Sequence, residues 1–283
     1  MLVCVVAPLR ETESAMPSKL KPAFFLSVLI AILAVVSSVG PLAFDLYRRD
    51  SAFVMGAQQG TDLVTLIVAT PLLLLGMIGA MRKSPRATLL WIGMLAYMLY
   101  NFLFYLLGAA LNEFFLIYVA LCALSIHALI VTLNNADIAA IGERFNAKVP
   151  TKGISAYMLF FAALLAGMWT LQWYKLAFGD GQAVGVPSEA VHLIAAIDMT
   201  LFAPVLAITA ILLWRRRPLG YSLASITMIM ASVYTPVLIA SAPFQFNAGM
   251  SDAWAMVPLW IFLTAGSIAA SVFLLANMKP QEE

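Results

Sequence analysis

The sequence predicts an all-α membrane protein of eight transmembrane helices with both termini on the cytoplasmic side. Three observations carry that prediction. Of 283 residues, 63% are hydrophobic and only 11% charged, against about 25% charged in an average soluble domain, so lipid must solvate most of the surface. Apolar runs of the ~20 residues that a bilayer core of ~30 Å requires recur eight times, without the alternation of barrel strands. Finally, thirteen of the sixteen Lys and Arg residues fall on one side once those runs are threaded back and forth, as the positive-inside bias demands.

Residues 1–22 form the first cytoplasmic tail, with Arg10, Lys19 and Lys21. Its opening fifteen residues, "MLVCVVAPLRETESA", precede Met16, which reads as the better translation start. A cleaved signal peptide is the rival reading, disfavoured because Pro41 follows Gly40. The first half, 23–134, holds runs at 23–44, 61–81, 87–109 and 114–134. A cytoplasmic linker, 135–153, has room for a short amphipathic piece and not for a domain. The second half, 154–277, holds runs at 154–175, 190–214, 219–243 and 253–277, and 278–283 form the last tail. Only Arg48, Arg49 and Lys175 remain outside. Trp169, Trp173, Tyr174 and Trp254 fall near outer boundaries, where amphipathic rings anchor to the interface.

Two hairpins match at a constant offset of 133. "PLLLLGMIGAMRKSPR" begins at Pro71 and "PVLAITAILLWRRRPL" at Pro204. Arg82 aligns with Arg215, Lys83 with Arg216 and Pro85 with Pro218. The match suggests either a parallel repeat of two four-helix halves, related by an axis along the membrane normal, or only the arginines and proline that any positive-inside hairpin wants in its turn. Each internal proline lacks an N–H and frees the carbonyl four residues earlier, at Ile67 and Thr200, so a kink is expected there.

Polar side chains gather in the outer half. At 1.5 Å rise per residue, Asp198 and Asn101 lie ~12 Å below the outer boundary, Tyr234 ~14 Å, and Tyr105 and Gln172 ~5–6 Å. Asp62 and His192 sit at the rim, where helix capping competes with any ligand role for Asp62. Periodicity sets Val191, Ala195, Asp198, Phe202, Val205 and Thr209 on one face of the sixth helix. A charge at such depth costs about 2.5–3.5 kcal/mol even on insertion scales, so Asp198 should turn inward and hydrogen-bond Asn101 or Tyr234. These seven residues, Asp198, Asn101, Tyr105, Tyr234, Gln172, Asp62 and His192, form the candidate ligand site. Its bland counterpart is polar glue between helices.

No cofactor or metal is expected. His127 and His192 differ in depth by roughly 16–17 Å, too much for one haem iron, and His127 reads as a packed interhelical donor. Met94 and Met98 stand one turn apart, but among fifteen methionines they read as gap-fillers. Cys4 and Cys122 show no zinc spacing. The net charge of +2, without a long basic run, excludes nucleic acid, and no nucleophile elbow, H-E-x-x-H helix or phosphate loop occurs.

The runs "QQGTDLVTLIVATPLLLLGM" (58–77), "NEFFLIYVALCALSIHALIVTL" (112–133) and "LLWRRRPLGY" (212–221) resemble segments of an uncharacterised group of polytopic bacterial integral membrane proteins. That resemblance implies a bacterial cytoplasmic membrane location and supplies neither an activity nor any site residue.

Three function classes remain open. The leading one is a small-solute or proton/ion-coupled transporter, its partners the lipid bilayer and a solute or proton. The alternative is a non-catalytic sensor, scaffold or assembly factor. An intramembrane enzyme acting on lipid is the weakest, because His192, the only nearby base, lies about 240° around the helix from Asp198 at 100° per residue.

Overall fold

The computed structural model describes residues 18–179, 181, 183 and 185–279. Cys4, Arg10, the choice between Met1 and Met16, and the last four residues lie outside the described residues. Eight helices are long and apolar enough to cross a membrane: α1 (Lys21–Ala43), α2 (Ala52–Met81), α3 (Pro85–Gly108), α4 (Phe115–Asn135), α5 (Thr151–Phe178), α6 (Ala190–Trp214), α7 (Pro218–Asn247) and α8 (Val257–Ala276). The chain is a multi-pass membrane protein. Leu42, Ile67, Leu75, Ile208 and Val272 are among the large apolar side chains exposed around the bundle, where acyl chains cover them. The most buried of the eight are α3 and α7.

Helix α2 begins at Ala52 rather than 61. Ser51 caps it, its Oγ accepting from the Val54 N–H at 3.4 Å. The added turns, "AFVMGAQQG", are too polar to read as membrane-spanning, yet their small residues are what α7 needs. A Cβ on Gly56 would lie 2.7 Å from the Gln245 nitrogen, and one on Gly60 2.5 Å from the Ser241 nitrogen. Only glycine allows these backbones to approach so closely. Gln245 Nε2 also donates to the Phe53 carbonyl at 3.2 Å, and Ser241 Oγ donates to the Ala57 carbonyl at 3.3 Å.

The internal prolines produce wider turns rather than breaks. Thr65–Ala69 and Asp198–Phe202 are π-helical, and the N–H of Thr70 and of Ala203 reach back to the carbonyls of Thr65 and Asp198. Each π turn lies just before its proline, where the added residue makes room for the ring. Just beyond Phe202 the inward face of α6 shifts from Val205 to Leu206, while Thr209, also expected inward, is buried. Val205, expected inward, is 45% exposed, and Leu206 is fully buried in its place.

The offset of 133 extends into conformation. Lys83 and Arg216 both adopt left-handed backbone, φ 59° and 53°. Ser84 N–H donates to the Gly79 carbonyl and Arg217 N–H to the Leu212 carbonyl, both at 3.1 Å. Gly79 abuts Ala87, and in the other hairpin Gly220 abuts Leu212, so the glycine changes partner while the close approach is kept. Between hairpins, Gly60 meets Ser241, and at the shifted positions Leu193 meets Gly108, its Cδ2 2.5 Å from where a Cβ would stand.

The end of the bundle bearing the two arginine turns is tied down by backbone acceptors. Arg86 donates to the carbonyls of Leu275 (2.9 Å) and Met278 (2.7 Å), capping the end of α8. Within the linker, the short helix Ile138–Glu143 sits on the start of α7, where Ser222 Oγ donates to the Ile138 carbonyl at 2.6 Å.

Candidate functional site: a cavity beside Asp198

Asp198 opens the π turn of α6 and is 5% exposed. Its Oδ2 accepts from the Trp169 indole N–H at 2.7 Å, and its Oδ1 from the Tyr100 hydroxyl. Indole nitrogen can only donate, whereas a phenol can donate or accept. Oδ2 is therefore always an acceptor, while the Oδ1–Tyr100 pair can hold an added proton by reversing the direction of its bond. Neither partner is charged.

Beside this carboxyl lies a cavity of about 600 Å³, within the ordinary range for a small-molecule site. Phe161 and Phe202 line it at the depth of Asp198, and Gly185 and Asp252 line it at the surface of the end opposite the arginine turns. Helices α2, α3, α5, α6, α7 and α8 all contribute to its wall. No Lys, Arg or His occurs among the described residues lining it.

Two amides in this wall lack protein partners. Asn101 is 2% and Gln58 5% exposed; Asn101 Nδ2 and both side-chain polar atoms of Gln58 make no hydrogen bond within the protein. Buried polar groups are nearly always paired; other described side chains without a partner, such as Ser125 and Ser155, lie away from the cavity.

Of the seven residues singled out in the sequence, Asp198, Asn101, Tyr105 and Tyr234 line this one cavity, and Asp62, Gln172 and His192 do not. The expected partners of Asp198 are corrected: neither Asn101 nor Tyr234 bonds it. Tyr234 instead stands edge-on to Tyr100, ring centroids 4.8 Å apart. Asp62 is buried in a second cluster, not at the rim, because α2 starts earlier than the apolar run suggested. It accepts from Tyr47 at 2.5 Å and Tyr105 at 2.9 Å. Tyr105, which also donates toward the Gln58 carbonyl at 2.9 Å, stands between that acid and the cavity. Gln172 is buried elsewhere, and His192 is exposed. His127 is exposed as well and bonds its own helix, the Ala123 carbonyl at 2.7 Å, rather than a neighbour.

Trp169, read as an interfacial anchor, is 2% exposed and grips the acid; Trp173, Tyr174 and Trp254 are exposed as expected. Tyr100 went unnoticed in the sequence. Its only signal was position, one turn before Phe104 on the helix that already offered Asn101.

In the loops at the cavity end, Asp50 Oδ1 accepts from the Ala110 N–H at 2.6 Å while Oδ2 has no partner. Burial pushes its pKa up, and the Ala110 bond partly offsets that. Glu113 is held below the usual carboxylate range, first by its own backbone N–H and then by Arg48, 2.5 Å away.

No protein-family model matches the chain, and neither a curated protein nor a solved structure is significantly similar to it.

Proposed function

We propose that the chain is a small-solute membrane carrier of a bacterial cytoplasmic membrane, with Asp198 as the acid that holds the solute or a coupling proton. One observation carries this reading: a carboxyl buried among uncharged partners lines a cavity of about 600 Å³ together with two unpaired amides. Intramembrane acids are rare, expensive and usually functional. The distribution of Lys and Arg supports an orientation with the arginine turns and both termini in the cytoplasm, so the cavity faces outward.

A parallel doubling of 23–134 and 154–277 fits this function. Its support is the recurrence at one offset of π turns, prolines, left-handed residues and the Gly60–Ser241 and Leu193–Gly108 contacts. Under a twofold axis along the membrane normal, the α2–α7 seam and the α6–α3 seam are equivalents. Glycine at 60 closes the first; leucine at 193 holds the second apart, and residues of both seams, Ala57 and Ser241 with Gly108 and Leu193, line the cavity.

The test is reconstitution in proteoliposomes that carry an internal pH dye, challenged with panels of small cationic, anionic and neutral solutes. A solute-dependent signal from the native protein, lost in Asp198→Asn without loss of monodisperse protein, is expected. Silence across all three panels removes the carrier reading. The alternative, a non-catalytic sensor or assembly factor, draws on both Asp198 oxygens being paired; it expects Asp198→Asn to lower thermal stability and change nothing else.

A further inference from the structure

We infer that the cavity accepts an organic ammonium ion with apolar substituents, an inference that rests on the solute-site reading above. The charges in the wall point one way. Asp198 stands at depth and Asp252 at the mouth, with no cationic side chain among the described lining residues. An anion would meet two carboxylates and nothing to neutralise it. An arriving cation meets an acid first at the rim and then at the deep end, an arrangement that concentrates positive ligands in a low-dielectric cleft.

The rings specify what kind of cation. Tyr100, Phe104, Phe161, Trp169, Phe202 and Tyr234 all line the cavity. Phe104 and Tyr234 lie nearly parallel, 15° between planes at 6.3 Å, while Tyr100 meets Tyr234 edge-on at 86° and Phe161 meets Phe202 at 78°. These rings pack against one another, Tyr100 touching Phe104, Phe202 and Tyr234, and the aromatic surface they turn to the cavity attracts cations, quaternary ammonium groups above all. A metal ion fits poorly. Hard cations require six or more oxygens, and Asp198, the one carboxylate at depth among the described lining residues, already has a donor on each oxygen. A sugar needs many free hydrogen-bonding groups, and of those in the wall Tyr105, Trp169, Ser241 and Gln245 already bond within the protein. The unpaired amides of Asn101 and Gln58 suit a single hydroxyl or carbonyl on the ligand.

Titration of the purified full-length protein, followed by the fluorescence of the cavity residues Trp169 and Trp260 and by calorimetry, tests the inference. The probes are tetraethylammonium, choline, the neutral choline isostere 3,3-dimethylbutan-1-ol, and pivalate. Saturable binding of both ammonium ions, more than about tenfold tighter than the isostere, is expected, with no binding of pivalate. Asp198→Asn should weaken choline by more than about 30-fold, and Phe104→Leu by about 2- to 30-fold. If Asp198→Asn does not fold, the native protein's preference for charge and the Phe104→Leu series still decide the matter. Equal binding of choline and its isostere, or tighter binding of pivalate, overturns the ammonium inference and leaves the solute site standing. Failure of all four probes, with the solute panels in liposomes also silent, removes both.

Discussion

Trp169 donates its indole N–H to Asp198 at 2.7 Å, joining α5 to α6 beneath the cavity. This bond satisfies an oxygen to which no other side chain among the described residues donates. Trp169→Phe keeps a ring and removes the donor, leaving Oδ2 of a buried acid unmatched. It should destabilise the protein by about 1–3 kcal/mol, read as a lower unfolding midpoint in detergent. In a double-mutant cycle with Asp198→Leu the losses should fall short of additive. Strict additivity would mean the two side chains do not interact.

The α2–α7 seam depends on a missing side chain. Gly60→Leu installs the residue found 133 positions later, at 193, and its Cβ would collide with the Ser241 backbone. A loss of at least about 2 kcal/mol is expected from such overpacking. Gly167→Ala, at a helical position with nothing within 4 Å, should instead stabilise by about 0.5–1 kcal/mol. Equal effects from the two variants would deny the close approach.

At the arginine turns, Lys83 occupies left-handed backbone at φ 59°, which disfavours a side chain by roughly 1–2 kcal/mol. Lys83→Gly should therefore raise stability by up to about 1 kcal/mol after the added chain entropy of glycine. Chemical unfolding in micelles measures this; a destabilised variant would place the strain elsewhere.

Asp50 gives a pH dependence whose sign follows from burial. Its folded pKa is raised, so folding favours the protonated acid. The penalty on the charged form is full above the folded pKa, shrinks as pH falls below it, and is gone below the ordinary carboxylate pKa of the unfolded chain. Asp50→Asn retains an acceptor for Ala110 and removes the charge. It should be more stable than the native protein at pH 8 and indistinguishable from it at pH 3.5. A constant difference across that range would mean that charge plays no part.

The number of spans and most of their ends were legible because lipid demands long apolar helices, and hydropathy reports that demand directly. Two of the site's relationships were not, and for one reason. Helices that extend past their apolar core carry polar and glycine-rich turns that resemble loop. Reading α2 as starting at 61 set Asp62 at the rim, although it lies ~15 Å along the helix from Ala52. Ending α5 at 175 likewise made Trp169 a boundary residue, whereas the helix continues to Phe178. Tyr100 was eclipsed by its neighbour Asn101, because depth alone cannot tell which of two adjacent residues faces the acid. The shift of the α6 face from Val205 to Leu206 was hidden too, since a fixed 100° step does not include a π turn.

Access to the cavity is the most direct measurement. In a protein lacking Cys4 and Cys122, Asn101→Cys should react with a membrane-impermeant methanethiosulfonate added to the face away from the arginine turns. The trimethylammonium form should react faster than the sulfonate form, and an added ammonium ligand should slow it. A thiol at 101 that stays unmodified from either face until the protein is denatured would contradict the existence of an open, acid-lined site beside Asp198.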